Sequence, residues 1–534
     1  MQFNGENGLS GVVSVADRAA WASVPWTAVF APSTGASGGA GVDSSNQIVN
    51  GKVGGSINGK PNGKVDDKAN DSVNGIANGS ANGIGNRSSH GNANGVASGC
   101  ANGIVNGCTN GNVNRADVQI IGWLKSGVPY LPLGKAASLQ TFDIWVPNPQ
   151  PTATDVTAPD PSSLPISHHG QGTWIVYIHG GAWRDPRISS TSFAPAATDL
   201  LLRAARARAV GGTSKLAGVV SLNYRLSPHP SFPSSSPSGP EPPSHQAQHP
   251  DHIADVLAGL AFLRRLLQHH YQLVDDHGSK EKGNILRAPT GRHVDARPQK
   301  PEQRWILAGH SCGATLAFQS VMDPARWGLA GHSAGGRSGT TITTRQDDNG
   351  YNHHPAPAAI VGFNGLYDLA GFIASPPPAY AHLREAYREF VTGAFGPDRL
   401  LRGSGKGGGG GQKTTVWTAV CPATAEGSWV NEWLGDNEDD SDGSGYTWWW
   451  RRWWWRGNAE KEQEKKKRKG VVVLVQSRED TLVPWQQLEA MRDRLARERR
   501  RVDVRVLEGR GDHDDVWRDG DKMAEVLWEL SEEL

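Results

Sequence analysis

One short segment constrains the fold of this chain more than any other. Residues 305–308 are the apolar run Trp-Ile-Leu-Ala, residues 309–313 are Gly-His-Ser-Cys-Gly, and a helix-forming stretch begins at Ala314. A G-x-S-x-G sequence between a strand and a helix is typical of a nucleophile elbow, in which glycines flank a sharply turned serine because side chains there would collide with the backbone. The segment therefore predicts that Ser311 is a nucleophile beside a helix N-terminus that favours anions.

The chain contains a second copy of the same pattern. Residues 331–335 are Gly-His-Ser-Ala-Gly, but residues 323–327 before them are not β-branched and residues 336–339 after them include two glycines. An elbow needs a strand before the serine and a helix after it. The sequence therefore favours Ser311 over Ser333, which stays open as an alternative.

A pair of glycines lies upstream, after another apolar run. Residues 174–178 lead into residues 179–183, which are His-Gly-Gly-Ala-Trp. In enzymes with such an elbow, glycines at this position bring a backbone N–H group close to the substrate oxygen. We predict that Gly180 and Gly181 form one side of an oxyanion hole and that the N–H group of Cys312 forms the other. An ordinary strand-ending turn is the alternative interpretation.

A serine nucleophile needs a histidine base, and the base needs an acid that orients it. Residues 470–477 contain a continuous apolar run rich in β-branched valine, typical of a buried parallel strand, and Asp480 follows at its carboxyl end. The alternating run 502–507 predicts the last strand, and His513 lies in the loop after it. The sequence predicts a triad of Ser311, Asp480 and His513 in that chain order.

Other residues compete for the roles of acid and base. Asp368 follows the predicted strand 359–364, and Glu479 directly precedes Asp480. The competing histidines lie in or beside a Pro-rich segment or in an expected insertion: His229, His249, His252, His353 and His354. The place of His513 after the last strand favours it over all of these.

Several further segments add to these motifs. They are residues 179–186, 223–228, 309–314, 365–369 and 477–486. Together they resemble the fungal-type kynurenine formamidases (arylformamidases) of the α/β-hydrolase superfamily, over roughly residues 128–534. Carried over residue by residue, the resemblance gives the triad and oxyanion roles to Ser311, Asp480, His513, Gly180, Gly181 and Cys312.

The resemblance also implies a reaction. N-formyl-L-kynurenine would be cleaved to L-kynurenine and formate, in tryptophan degradation toward NAD, with no cofactor and no metal. His179 and Trp183 complete the oxyanion motif, and Trp183 either stacks on the substrate ring or packs in the core. Ala182 departs from the related lipase-like esterases, which usually have a third glycine there. A general carboxylesterase, a serine peptidase and a non-catalytic interaction protein of the same fold remain as alternatives.

Composition separates a folded region from low-complexity segments. Residues 1–116 repeat Asn-Gly with few apolar residues, and we expect them to be disordered because they cannot offset the entropy of ordering. Residues 117–534 are expected to form one α/β-hydrolase domain, a mostly parallel central sheet with helices on both faces. Flexible insertions are expected at 231–249, 275–303, 328–355 and 402–469.

Charge and hydropathy bear on partners and location. The net charge of +1 gives no attraction to nucleic acid or to an anionic membrane. No apolar run approaches the roughly 18 residues of a membrane span, and the N-terminus lacks a signal-peptide pattern. Interleaved Trp and Arg at 448–456 would suit stacking on a single-stranded nucleic acid, but adjacent acidic and basic runs favour an insertion. We expect a cytoplasmic protein acting on a small molecule, and a homodimer is left open.

Overall fold

The computed structural model describes most of the region in which the motifs lie. The described residues are 14–31, 119–132, 136–149, 158–166, 172–232, 244–281, 303–327, 356–401, 414–434 and 469–534.

Nine strands within the described residues form one sheet. They are β1 (Thr27–Phe30), β2 (Ile120–Pro129), β3 (Thr141–Pro147), β4 (Thr173–Ile178), β5 (Leu216–Leu222), β6 (Arg304–His310), β7 (Ala359–Phe363), β8 (Gly470–Ser477) and β9 (Val502–Gly509). Their order across the sheet is β1-β2-β3-β5-β4-β6-β7-β8-β9.

The sheet is mostly parallel, as predicted. Every neighbouring pair from β5 to β9 is parallel, whereas β1, β2 and β3 join the sheet through antiparallel pairs. The chain runs from β4 to β5 on one side and then to β6 on the other, so the strand order reverses at β4. Open α/β sheets bind ligands at the carboxyl ends of the strands beside such a reversal. The loops after β4 and β6, which carry the two glycine motifs, meet there.

The inner parallel strands, β4 to β8, are buried on both faces and are mostly apolar, whereas the edge strand β9 is partly exposed and alternates. Successive side chains of a strand point to opposite faces. In β4, Ile175 and Tyr177 belong to one core cluster, and Val176 and Ile178 belong to the other. Neither face can carry polar residues, so the strands lose the alternation typical of half-exposed sheets.

Helices cover both faces, again as predicted. They are α1 (Val15–Ala22), α2 (Ala194–Ala209), α3 (Asp251–Glu281), α4 (Cys312–Gln319), α5 (Leu369–Ala374), α6 (Arg384–Phe395), α7 (Val416–Val420), α8 (Trp429–Leu434), α9 (Trp485–Ala496), α10 (Asp515–Asp519) and α11 (Asp521–Glu533). Helices α2, α10 and α11 pack on one face, and the others pack in the cluster on the opposite face. No helix of the described ranges is both long enough and apolar enough to cross a membrane.

The expectation of disorder over residues 1–116 is wrong for residues 14–31. These residues form α1 and β1, and β1 pairs with β2. The anchors are Trp21 and Trp26, which are buried and lie edge to face at 5.6 Å. The Lys125 ammonium group lies 4.1 Å from the centre of a Trp21 ring and donates to the Trp21 carbonyl at 2.8 Å. Residues 14–31 are themselves rich in apolar side chains, unlike the Asn-Gly repeats that follow them, so the composition of 1–116 as a whole hid a segment able to join the core. Residues 1–13 and 32–116 lie outside the described residues.

The expected insertion 402–469 is wrong for residues 414–434, which form α7 and α8. Trp417, Trp429 and Trp433 are buried in the core. Trp429 packs edge to face on Phe318 at 5.7 Å. Burying an indole supplies more apolar area than most side chains, so three of them fix this segment despite the polar sequence around it. Residues 448–456, with their Trp and Arg, lie outside the described residues.

The boundaries of two other insertions also change. Helix α3 continues to Glu281 instead of ending before residue 275. At the end of 231–249, Ala247 is buried and the N–H group of His249 donates to Ala394 O at 2.7 Å. These ends are therefore part of the folded domain. The expected insertion 328–355 lies outside the described residues.

Candidate active site

Ser311 lies at a sharp corner between β6 and α4, the context expected of an elbow. Its backbone has φ 54° and ψ −122°, a region that costs a non-glycine residue about 1–3 kcal/mol. A Cβ at Gly309 would lie 2.2 Å from Gly313 O, and a Cβ at Gly313 would lie 2.1 Å from Ile178 O. Only glycine fits at either position. Ser333, the alternative, lies outside the described residues.

The two predicted halves of the oxyanion hole lie side by side. A Cβ at Gly180 would lie 3.1 Å from Ser311 Cβ, so the backbone after β4 passes directly beside the serine. Gly181 has φ 95°, a backbone conformation that favours glycine. Cys312 is the first residue of α4, where backbone N–H groups lack partners within the helix. The arrangement can direct N–H groups from both loops at a charge that develops near Ser311.

Trp183 packs in the core, which favours one of its two predicted roles. The side chain is 0% exposed and lies edge to face on Phe395 at 4.9 Å. Its backbone N–H group donates to Cys312 Sγ at 3.2 Å and so ties the oxyanion loop to α4. Burial raises the pKa of the Cys312 thiol to about 11, so this cysteine is neutral at pH 7. It is suited to packing and not to nucleophilic attack.

Asp480 and His513 meet in a buried pair at the ends of β8 and β9. Nδ1 of His513 lies 2.8 Å from Oδ2 of Asp480. Oδ1 of Asp480 accepts from the N–H groups of Leu482 at 2.9 Å and Val483 at 2.7 Å. A carboxylate only accepts hydrogen bonds, so Nδ1 is the donor, and in the neutral form of the ring Nε2 keeps its lone pair. The His513 ring lies 4.7 Å from that of His310, the residue before Ser311.

The alternative acids occupy other positions. Oδ1 of Asp368 accepts from Gly371 N at 2.8 Å and caps α5. Glu479 is exposed, and its carboxylate accepts from Gly511 N at 2.7 Å. The structure brings neither of them to the His513 ring. Of the competing histidines, His353 and His354 lie outside the described residues.

Asp512 joins the loops that carry Asp480 and His513, a role that no pattern in the sequence indicates. Its Oδ1 accepts from the backbone N–H and the hydroxyl of Thr481, both at 2.8 Å, and from His513 N at 2.7 Å. Partial burial favours the neutral carboxyl, but these hydrogen bonds outweigh it and lower the pKa of Asp512. Adjacency to His513 was the only signal in the sequence.

Tyr224 contacts the predicted oxyanion loop, residues 179–183, through its hydroxyl group. Its hydroxyl lies 3.1 Å from His179 O and 3.2 Å from Gly180 O. The His179 ring stacks on Tyr224 at 4.5 Å, and burial lowers the pKa of His179 to about 4, so the ring is neutral at pH 7. The next residue, Arg225, forms a buried two-point ion pair with Asp255 through contacts of 2.8 Å each. The segment 223–228 therefore positions the oxyanion loop.

Comparison with curated proteins places this arrangement in a family. The chain is 30% identical over 414 residues to the kynurenine formamidase-like hydrolase fscH of Fusarium equiseti, covering 75% of this chain and 92% of that protein. The chain belongs to the kynurenine formamidase family. It is also 28% identical over 264 residues to the kynurenine formamidase avaC of Aspergillus versicolor, covering 49% of this chain and 66% of that protein. The resemblance found in the motifs is confirmed, and the protein is a hydrolase.

Other comparisons add less to the kynurenine formamidase assignment. No protein-family model matches the chain. Among solved structures, it is similar to a truncated carbohydrate esterase from gut microbiota, with 15% identity, coverage of 76% and 96% of the two chains and a TM-score of 0.36. It is also similar to esterase B from Lactobacillus rhamnosis, with 11% identity, coverage of 77% and 86% and a TM-score of 0.36. The α/β-hydrolase fold therefore rests on the strand order and on the family.

The described residues of this formamidase-family hydrolase include one grouping with the spacing of metal ligands. Potential ligand atoms of His310, His513 and Asp514 lie within 4.8 Å of one another. However, Nδ1 of His513 is bonded to Asp480, and Nε2 of His310 lies 2.9 Å from His513 O. Both rings therefore already have partners within the triad region, which fits a base and its support better than an ion site.

His252 lies behind the oxyanion support and is fully buried. Its Nε2 lies 3.0 Å from Ser227 Oγ, and its ring lies edge to face with Tyr224 at 6.2 Å. Burial, with a smaller contribution from neighbouring charges, lowers the pKa of His252 to about 3. The imidazole is therefore neutral in the folded protein under conditions in which an exposed histidine would be charged.

Replacing His252 with glutamine should change the pH dependence of stability in this family member. Below about pH 6.5 the unfolded chain binds a proton at His252, whereas the folded chain does not bind one there until about pH 3. Acid therefore favours the unfolded chain, and stability is lost as the pH falls through this interval. We expect the difference in unfolding free energy, wild type minus His252→Gln, to fall by roughly 2 kcal/mol between pH 7 and pH 5. Urea unfolding at each pH measures it. A difference that does not change with pH would contradict the expectation.

Proposed function

We propose that this protein hydrolyses N-formyl-L-kynurenine to L-kynurenine and formate, with Ser311 as the nucleophile. The observation that carries the proposal is the buried pair of His513 and Asp480, 2.8 Å apart, beside a serine elbow in a chain of this family. The substrate is the one that the names of the curated relatives indicate. The geometry supports hydrolysis by acyl transfer, and the family supports the formyl group as the acyl group.

The first step is attack on the formyl carbon. Nε2 of His513 accepts the proton of the Ser311 hydroxyl while the oxygen bonds to the formyl carbon, and the carbonyl electrons move to its oxygen. Asp480 holds the imidazole in the required tautomer and stabilises the imidazolium. The N–H groups of Gly181 and Cys312, with the close approach that Gly180 allows, stabilise the tetrahedral oxyanion. One such donor is worth about 2.7–4 kcal/mol in comparable sites.

The second step expels the amine. The imidazolium of His513 protonates the aryl nitrogen, the carbon–nitrogen bond breaks and a formyl ester remains on Ser311. His513 then removes a proton from water, the water oxygen attacks the ester and formate leaves as the serine is regenerated. The aryl ring delocalises the nitrogen lone pair, which makes an arylamine less basic and a better leaving group than an alkylamine. A catalytic triad of the kind that esterases use can therefore cleave this amide.

Two buried side chains that stay neutral beside the site support the proposed charge separation. His179 and Cys312 beside the site are both uncharged at pH 7, because burial lowers the pKa of His179 to about 4 and raises that of Cys312 to about 11. Interactions between the remaining charges are stronger in such a poorly hydrated site than in water. The attraction between the Asp480 carboxylate and the His513 imidazolium is therefore stronger here than it would be in water.

Formate release from N-formyl-L-kynurenine tests the proposal, with the Ser311→Ala variant as control. The proposal requires a kcat/KM for this substrate well above that for p-nitrophenyl acetate. A preference for the ester would instead support a general carboxylesterase, which would use the same triad. Failure of the protein to react with a fluorophosphonate would support a non-catalytic interaction protein. Cleavage of peptides with no formamidase activity would support a serine peptidase.

The conditions of the reaction belong to the same proposal. We propose that the enzyme acts in the cytoplasm on this small molecule, without cofactor, metal, nucleic acid or membrane partner. A homodimer stays a prediction from the sequence, which gel filtration with light scattering would decide.

A further inference from the structure

Asn364 follows β7, the strand between those that precede the elbow and the acid loop. Its backbone has φ 45°, which is uncommon for a residue with a side chain but tolerated by asparagine. Its N–H group donates to Val475 O on β8 at 2.8 Å. The preceding residue, Phe363, accepts from Ser311 N at 2.9 Å. Phe363 and Asn364 are thus bonded through their backbones to Ser311 on one side and to β8 on the other.

The Asn364 side chain joins the last residue of β8 to the loop after β9. Its Nδ2 lies 3.2 Å from His513 O, and its Oδ1 lies 3.2 Å from Ser477 N. A backbone carbonyl only accepts and a backbone N–H only donates, so the partners fix the orientation of the amide. One buried side chain therefore holds the backbone of the base and the backbone of the strand that leads to Asp480.

A second donor reaches the same carbonyl. Nε2 of His310 lies 2.9 Å from His513 O. Burial, followed by the nearby His513, lowers the pKa of His310 well below its usual value, so the ring is neutral. Since the carbonyl can only accept, the single ring proton is on Nε2. His310 and Asn364 together satisfy both lone pairs of the His513 carbonyl, which leaves that residue little freedom to rotate.

We propose that Asn364 is a positioning residue that, with His310, fixes the backbone of His513 relative to Ser311 and Asp480. The inference rests on the proposed triad. Catalytic groups need to be held to within about 0.5 Å and 10–20° of the productive geometry. Asp480 orients the imidazole through Nδ1, but it cannot fix the backbone from which the ring extends. The amide of Asn364 supplies that second point of attachment.

The test measures the rate at which a fluorophosphonate labels Ser311. Asn364→Asp keeps the shape and the acceptor for Ser477 N but replaces the donor to His513 O with a carboxylate oxygen that repels it. We expect the labelling rate constant to fall by roughly 10–100-fold, since a misplacement near 1 Å costs about 10²-fold. Loss of folded protein would lower the final labelled fraction, whereas a misplaced base lowers the rate constant with the final fraction unchanged.

Gln319→Glu is the matched control. Gln319 is also a buried amide, and its Nε2 donates to Val420 O at 2.8 Å, away from the triad. This variant should keep the labelling rate constant within about threefold. Asn364→Gly is a second variant, which removes the amide and relieves the positive φ. Asn364→Gly should be labelled as slowly as Asn364→Asp, and it introduces no buried charge that could destabilise the fold.

The remaining outcomes separate this inference from the proposed triad. If both Asn364 variants label within about threefold of the wild type while His513→Ala does not label, the positioning role is wrong and the triad stands. If His513→Ala labels at the wild-type rate, the proposed triad fails and the positioning role fails with it. Slow labelling of Gln319→Glu to the same degree as Asn364→Asp would also overturn the inference, because any buried acid would then have the effect.

Discussion

Asp480→Asn is expected to lower kcat by about 10⁴-fold and to leave the fold intact. Two backbone N–H groups, those of Leu482 and Val483, donate to Oδ1 of Asp480 at 2.9 and 2.7 Å. They should hold the carbonyl oxygen of an asparagine in the same place and turn its NH2 group toward Nδ1 of His513. Nδ1 would then have to accept, and the ring proton would move to Nε2, where it prevents the imidazole from taking the serine proton.

Steady-state formate release, with circular dichroism to verify folding, measures the effect. Asp368→Asn is the control, and it should retain kcat within about threefold because Asp368 caps α5 and does not contact His513. The opposite pattern, an active Asp480→Asn and an inactive Asp368→Asn, would assign the acid to the loop after β7.

Ser311→Ala is expected to lower kcat by at least about 10³-fold, because loss of one triad member removes most of the catalysis of the whole unit. Alanine is smaller than serine and keeps the backbone contact of residue 311 with Phe363 O, which lies 2.9 Å away. The elbow should therefore keep its shape while the attacking oxygen is lost.

Ser333→Ala provides the internal control for Ser311, since it changes the other G-x-S-x-G copy. It should retain kcat within about threefold and still be labelled by a fluorophosphonate, whereas Ser311→Ala should not be labelled. Mass spectrometry of the labelled peptide identifies the reactive serine directly. A label on Ser333, or equal losses in the two variants, would refute the assignment of the nucleophile.

The sequence predicted the parts of the site that depend on local pattern. A buried parallel strand has a continuous apolar run, and the residues after it must lie at one edge of the sheet. That argument placed Ser311, Asp480 and His513 correctly at strand ends. The choice of Asp480 over Glu479 and Asp368 as the partner of His513 rested on the chain order of nucleophile, acid and histidine and on the place of Asp480 after β8.

Features that depend on distant partners could not be predicted from pattern. Strand β2 contains Lys125, which is polar by type but buried against aromatic rings of the N-terminal segment. No local window links it to Trp21 or Trp26. The roles of His310 and Asn364 were also hidden, because they depend on which backbone carbonyl lies across the sheet. Composition failed for 414–434 because the polar character of 402–469 as a whole hid an apolar segment with three buried indoles.

The pairing of β1 with β2 has a consequence for the variation of this protein among its relatives. Ala31 N donates to Gln119 O at 2.9 Å, so the two residues that flank 32–118 lie beside each other at the end of the β1–β2 pair. The entropy of closing a chain segment grows only with the logarithm of its length, about 0.6 kcal/mol for each doubling. Large changes in the number of residues between Ala31 and Gln119 would therefore cost little stability. Insertions and deletions between Ala31 and Gln119 should therefore be tolerated as long as β1 and β2 remain paired.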